Sequence, residues 1–220
     1  MEKNANAKSI GMLHLAVMLF GLSGAIGKLV EADAFTIAFG RSALSACLLF
    51  VYLLTKKEPL RLLRAKDALL LAAAGVTLAA HWVSFFQSIK AASVAIGTIT
   101  FSTFPLFLVF LEPLMFREKF KKTNLLFAAL LIAGVLVTIP EFSLSNGVTA
   151  GVLWGMAGSL TYAALSLMNR SLSGRYSGAK VCLYEQAAAA GALFPVVLAQ
   201  CARPGAADIA GIAVIGTVCT

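Results

Sequence analysis

Seven apolar runs, most of them long enough to cross a bilayer, follow one another through this chain with only short polar breaks between them. A hydrocarbon core about 30 Å thick needs about 20 helical residues to span it. The runs are Met12 to Leu29, Phe35 to Leu54, Ala68 to Ser88, Val94 to Phe116, Leu125 to Ile139, Val148 to Met168 and Val181 to Cys201, and an eighth begins near Ile209. They are continuous and rich in Leu and Ala rather than alternating, which excludes a β-barrel. Only 13% of residues are charged and 60% are hydrophobic, against about 25% charged in an ordinary soluble domain. So little polar surface cannot cover a soluble globule. The expected fold is an all-α polytopic membrane protein whose successive helices are antiparallel neighbours, with the lipid bilayer as its solvent and no soluble domain.

The net charge of +8 is a topology signal. Lys3 and Lys8 precede the first span. Lys56, Lys57, Arg61, Arg64 and Lys66 follow the second, Arg117, Lys119, Lys121 and Lys122 follow the fourth, and Arg170, Arg175 and Lys180 lie between the sixth and seventh. The intervening breaks hold Glu31 with Asp33, Lys90, Glu141, and Arg203 with Asp208. Short loops rich in Lys and Arg stay cytoplasmic, which predicts a cytoplasmic amino terminus in a bacterial-type inner membrane. No basic stretch carries interleaved aromatics, so a nucleic-acid partner is not indicated. The first span is too long for a signal-peptide core, contains His14 and lacks a small-x-small cleavage site. Cys47, Cys182, Cys201 and Cys219 are scattered through apolar segments without CxxC spacing or a His-rich neighbourhood, so they read as small buried hydrophobes. No metal or other cofactor is expected.

The chain also repeats itself. Ala65-Lys66-Asp67-Ala68 running to Gly75-Val76-Thr77 reappears as Ala207-Asp208-Ile209-Ala210 running to Gly216-Thr217-Val218. Gly11-Met12-Leu13-His14 aligns with Gly151-Val152-Leu153-Trp154 at nearly the same offset. Repeats of this length in an apolar chain are the usual sign of a transporter built from two related halves. The first half, residues 1–140, has five spans, an odd number, so the second, residues 141–220, is expected to insert upside down. That is an inverted-topology repeat of five-helix units with the second unit truncated, about seven and a half spans in all. The counterparts of the third to fifth spans fall largely past Thr220, so the sequence as given is expected neither to close a cavity nor to transport by itself.

The pattern Phe20-Gly21-x-x-Gly24-x-x-Gly27-Lys28, then Arg41, then His81-Trp82-x-x-Phe85-Phe86-x-x-Ile89-Lys90, resembles the EamA-type transporters of the drug/metabolite transporter superfamily. Ser93-Val94-Ala95-Ile96-Gly97-Thr98, Pro105 and Arg117-Glu118-Lys119 extend the likeness over almost the whole chain. The resemblance implies ten helices as two inverted halves, a third span lining a central cavity, and small organic metabolites such as amino acids as solutes.

Individual residues then separate into candidates. Arg41 lies about two turns inside its span, where a charge costs at least about 2.5 kcal/mol and faces a cavity or partner, or else snorkels to the interface. The resemblance favours a fixed structural role for it. Glu185 is read as the repeat counterpart of Arg41. Inversion puts the two roughly 10 Å or more apart in depth, so no salt bridge between them is expected. They are candidates for a charge network or coupling group, with protons a candidate coupling ion, or else Glu185 is a snorkelling or locally paired carboxylate. His81, Phe85 and Ser88 share one helix face, with Trp82 and Phe86 beside it, a surface suited to a solute with an apolar body and a polar head. His14 and its repeat partner Trp154 are placed at the same cavity, and Tyr162, two turns from Trp154, on the cavity face of the sixth span. Pro105 is expected to kink the fourth span, leaving Thr98 and Ser102 either to bind solute or to repair the helix. Pro113 marks the exit of that span and Lys28 snorkels outward. Glycines at Gly21, Gly24, Gly27, Gly151 and Gly155 allow close helix approach.

No nucleophile elbow, Walker loop, zincin motif or paired carboxylates occur. The expected function is therefore alternating-access transport of amino-acid-like or related metabolites, outward in direction. The alternative is a membrane-embedded enzyme, scaffold or channel. Oligomeric state is not legible.

Overall fold

The computed structural model describes residues 2–117, 122–137, 146–201 and 203–219. Among them the helices are α1 (Glu2–Leu29), α2 (Ala34–Thr55), α3 (Ala65–Ala91), α4 (Val94–Phe101), α5 (Phe104–Phe116), α6 (Lys122–Val137), α7 (Gly147–Leu172), α8 (Gly178–Gln200) and α9 (Ala206–Val218). β pairing is confined to an isolated bridge between Ser173 and Tyr176. Six stretches of the described residues are long and apolar enough to cross a membrane: Ile10–Leu29, Ala34–Thr55, Ala65–Ala91, Val94–Phe116, Gly147–Leu172 and Gly178–Gln200. Leu126–Val137 and Ala206–Val218 are shorter. The chain is thus a multi-pass helical membrane protein. The end of the expected fifth span, at Thr138 and Ile139, lies outside the described residues.

Side-chain caps start the helices where the polar breaks end. Asp33 Oδ1 accepts from the N–H groups of Phe35 and Thr36 at 2.8 and 3.1 Å. Ser93, Asn146 and Ser177 cap α4, α7 and α8 in the same way. Each such cap satisfies donors that the helix cannot.

The fourth span is broken rather than kinked. α4 stops at Phe101, and α5 restarts at Phe104 with Pro105 in its first turn. Pro105 has no N–H for the Phe101 carbonyl. That acceptor is met instead by Ser159 of α7, whose Oγ lies 3.0 Å from Phe101 O and 2.6 Å from Thr100 O. Pro113 lies inside α5, not at its exit; the helix ends at Arg117, in the left-handed region at φ 55°.

α3 is the axis of the bundle, packed against α1, α2, α4, α7 and α8. Its contact with α7 is close because one face of α7 is glycine. A Cβ on Gly147 would lie 2.7 Å from the Ala91 carbonyl, one on Gly151 3.2 Å from Ser88 O, and one on Gly155 would run into the Thr100 hydroxyl. These positions recur every four residues, the spacing of a helix face, so the backbones can approach as small-residue faces do in bilayers. The outward sides of α1, α2, α6 and α8 expose Met18, Val51, Leu130 and Leu198 among many large apolar residues, as a lipid-facing surface requires.

Candidate functional site

The buried ring cluster is built on α3. His81, Trp82, Phe85 and Phe86 are all buried. The His81 ring lies 4.7 Å from Trp82, 5.2 Å from Phe101 and 5.0 Å from Tyr162, centre to centre. Phe20 of α1 closes the cluster at 5.1 Å from Phe85 and 4.7 Å from Phe101. The structure thus brings together His81, Phe85 and Tyr162 from α3 and α7. Phe101 and Phe104, released from one continuous helix by the break, complete the wall against Tyr162.

His81 is held in one orientation. Its Nδ1 lies 2.9 Å from the Gly158 carbonyl. A carbonyl only accepts, so Nδ1 carries the proton, and in the neutral ring Nε2 is left as an acceptor. Ser88, two turns on, donates to Gly151 O at 2.6 Å. The glycine face of α7 therefore supplies the carbonyls that orient the polar face of α3.

Arg41 is buried, and its guanidinium carbon sits 3.4 Å over the centre of the Trp82 ring. Nη1 reaches Ser23 Oγ and Nη2 the Cys219 carbonyl, each at 3.4 Å. A desolvated cation–π contact of this kind contributes about 2 kcal/mol. Arg41 is therefore in a buried network and does not snorkel. Glu185 is buried too. Among the described residues no ion pair joins it to Arg41. Each is the eighth residue of its helix, α2 for Arg41 and α8 for Glu185. Each is also touched by one of the two aligned glycines: a Cβ on Gly216 would lie 3.1 Å from Arg41 Cα, and one on Gly75 2.7 Å from the Glu185 carbonyl.

Around this centre several buried polar atoms find no hydrogen-bond partner among the described residues: His81 Nε2, Trp82 Nε1, Asn169 Oδ1, Glu185 Oε1 and Gln186 Oε1. Each such atom costs about 1–3 kcal/mol when left unsatisfied. Native interiors hold few of them, and these lie on α3, α7 and α8.

The other sequence candidates lie apart. His14 is exposed and its Nδ1 is 2.8 Å from Ile10 O of its own helix. Trp154 is 41% exposed. Thr98 and Ser102 direct their hydroxyls to carbonyls one turn back, Val94 O and Thr98 O, at 2.8 Å each. Lys28 does not snorkel: its Nζ donates to Ile89 O at 3.0 Å and Ala92 O at 3.3 Å, at the carboxyl end of α3, where a cation is favoured. Sequence reasoning missed Asn169, Gln186 and Ser159. A polar residue within an apolar run was the available signal for Gln186 and Ser159; Asn169, just past the sixth run and next to Arg170, offered none.

The closely packed spans thus enclose a buried polar and aromatic centre. The chain belongs to the EamA-like transporter family, whose model matches residues 7–139. It is 30% identical over 170 residues to an uncharacterized transporter of Helicobacter pylori, covering 74% of this chain and 56% of that protein. A counterpart in a second strain of that organism is 29% identical over the same shares. The chain thus spans about half the length of the curated relatives it matches. A protein crystal structure at 14% identity superposes with a TM-score of 0.64, covering 92% of this chain and 71% of the other, a likeness of fold.

Proposed function

We propose that the protein exports small organic metabolites of the amino-acid type across a bacterial inner membrane by alternating access. The carrying observation is that His81 and Trp82, within the ring cluster of Phe85, Phe101 and Tyr162, and Asn169, Glu185 and Gln186 on α7 and α8 each leave a buried polar atom without a partner among the described residues. Aromatic rings beside a few polar atoms suit a solute with an apolar body and a polar head. His81 offers an acceptor nitrogen, Trp82 a donor, and Glu185 a carboxylate that can take a cationic headgroup or a coupling proton. Arg41 fixes the Trp82 ring from the far side. His14 and Trp154, on the exposed surface, are not part of the proposed site, and the hydroxyls of Thr98 and Ser102 serve their own helix.

The two-half architecture belongs to the same proposal. Residues 1–140 form the first unit and the chain from 141 begins the second, inserted in the opposite sense, with the amino terminus and the basic loops in the cytoplasm. The parallel glycine contacts at Arg41 and Glu185 support this reading. So does the matching place of Asp67 and Asp208, each the third residue of its helix.

The test is flux of a radiolabelled amino-acid panel from proteoliposomes holding the full-length protein, at two external pH values. At least one member is expected to move faster than through empty vesicles, and faster with an inward-directed proton gradient. A panel that moves no faster than the empty control at either pH overturns the reading.

A further inference from the structure

The two ends of the bundle are tied by contacts that mirror one another. At the basic end, the connection from α2 to α3 meets the connection from α7 to α8. Asp67 Oδ1 accepts from Arg175 Nη1 at 2.6 Å, and Asp67 Oδ2 accepts from the Tyr176 hydroxyl at 2.6 Å. That hydroxyl in turn accepts from the Leu63 N–H at 2.9 Å. Ser177 donates to Glu58 at 2.6 Å, and Tyr184 to the Leu60 carbonyl at 2.7 Å. Beneath them Leu71, Leu172 and Val181 form an apolar cluster of their own, distinct from the main core.

At the opposite end the partners are exchanged. Asp208, in the first turn of α9, accepts from the Glu31 N–H in the α1–α2 connection at 2.7 Å, and from the Gly205 N–H at 3.1 Å. Asp67 and Asp208 are the residues that the internal repeat aligns. Thus the aspartate of one half holds the connection between the first two helices of the other, at both ends. The two ties differ in strength. Asp67 is 3% exposed and holds a charge-assisted pair plus a phenol, whereas Asp208 holds backbone N–H groups at an exposed site. Charge-assisted bonds are the stronger kind, and they gain from burial.

We propose that Asp67 with Arg175 and Tyr176, and Asp208 with the Glu31 N–H, are paired latches that close the two ends of the solute path and open in alternation. The inference rests on the transport reading above. The basic-end latch is the tighter one, and Leu71 of α3, Leu172 of α7 and Val181 of α8 pack beneath it, so opening that end also parts this small apolar cluster. A two-state element of this kind needs two discrete arrangements that each latch biases. Breaking one latch then shifts the population toward opening at that end alone.

The experiment uses the full-length protein in lipid, with native cysteines replaced and spin labels on engineered cysteines in two separate pairs. Arg61→Cys with Ser173→Cys reports the basic end, and Glu31→Cys with Arg203→Cys reports the other. Pulsed dipolar spectroscopy reads each distance. Arg175→Ala is expected to add a longer distance at the basic end, with that open population up about tenfold, and to leave the far pair unchanged. Asp208→Ala should do the converse with a smaller shift. Tyr176→Phe should give an intermediate effect, and Asp67→Arg with Arg175→Asp should restore the single distance. An unchanged distance in Arg175→Ala, or opening of both ends together, overturns the latch. If the latches respond as expected while the amino-acid panel shows no flux, the transport reading fails and the latch stands.

Discussion

Two polar regions of one bundle are built on opposite terms. At the basic end Asp67, Arg175, Tyr176, Ser177 and Tyr184 are all engaged, each with a named partner. His81, Trp82, Asn169, Glu185 and Gln186, by contrast, each bury a polar atom that has no partner among the described residues. Burial is dear in both places, so the difference is one of use. The end is satisfied by the protein itself and holds two connections together. The second group is satisfied only in part, which is what the proposed solute site requires.

That contrast can be broken in several ways. The largest effect is expected from Gly155→Leu, which drives a side chain into Thr100 and prises α7 from α3 and α4. It should cost about 3 kcal/mol or more, read as lost monodisperse protein in detergent. Gly191→Ala, where nothing stands within 4 Å, is the matched control and should behave as wild type. If both variants are equally stable, the seam is not what positions the centre.

Glu185→Gln keeps the shape of the centre and removes its carboxylate. Flux in proteoliposomes should fall at least about tenfold while the melting temperature moves little. A variant that loses stability but keeps flux would make Glu185 a packing residue and erase the contrast.

Trp82→Phe removes an N–H that has no partner and weakens the ring that Arg41 sits on. The cation–π loss is about 1 kcal/mol, and a flux decrease of about fivefold is expected. Equal flux would place the indole outside the site.

The smallest effect concerns pH at the exposed latch. The Glu31 N–H holds the Asp208 carboxyl below its ordinary 3.8, with the Gly205 N–H and the charge of Lys90 acting in the same direction. A depressed carboxyl contributes its contact fully above the unfolded value and loses it as pH falls through the folded one. Between about pH 5 and about pH 8 the contact should therefore not change, and the Glu31–Arg203 spin-label distance should stay constant. A distance that lengthens in that range would assign the pH response to the latch instead of to the centre.

Much of the fold was legible in the sequence because a bilayer leaves few options for long apolar runs. A disturbance at Pro105 was legible from its missing N–H, but as a kink; the full break between Phe101 and Phe104 was not. The side chains that reach across to other helices were less so. Lys28 and Ser159 act on carbonyls of helices about sixty residues away in sequence, and no local pattern announces such a partner. His14 and Trp154 were assigned to the cavity by their place in the repeat. A polar or aromatic residue on a helix apolar all round does not reveal which side faces lipid, and the structure turns both outward. His81 was legible because its neighbours Phe85 and Ser88 share its face, and all three meet α7 or the ring cluster.

The central claim is that the centre receives solute and the ends do not bind it. The most direct test is equilibrium binding of the panel amino acid with the highest flux, measured on the full-length wild type, His81→Ala, Glu185→Gln and Asp67→Asn in one lipid. The account predicts that Kd rises at least about tenfold for the two central variants, a loss of about 1.4 kcal/mol, and stays within about threefold of wild type for Asp67→Asn. Wild-type affinity in both central variants, or an equal loss in all three, would contradict it.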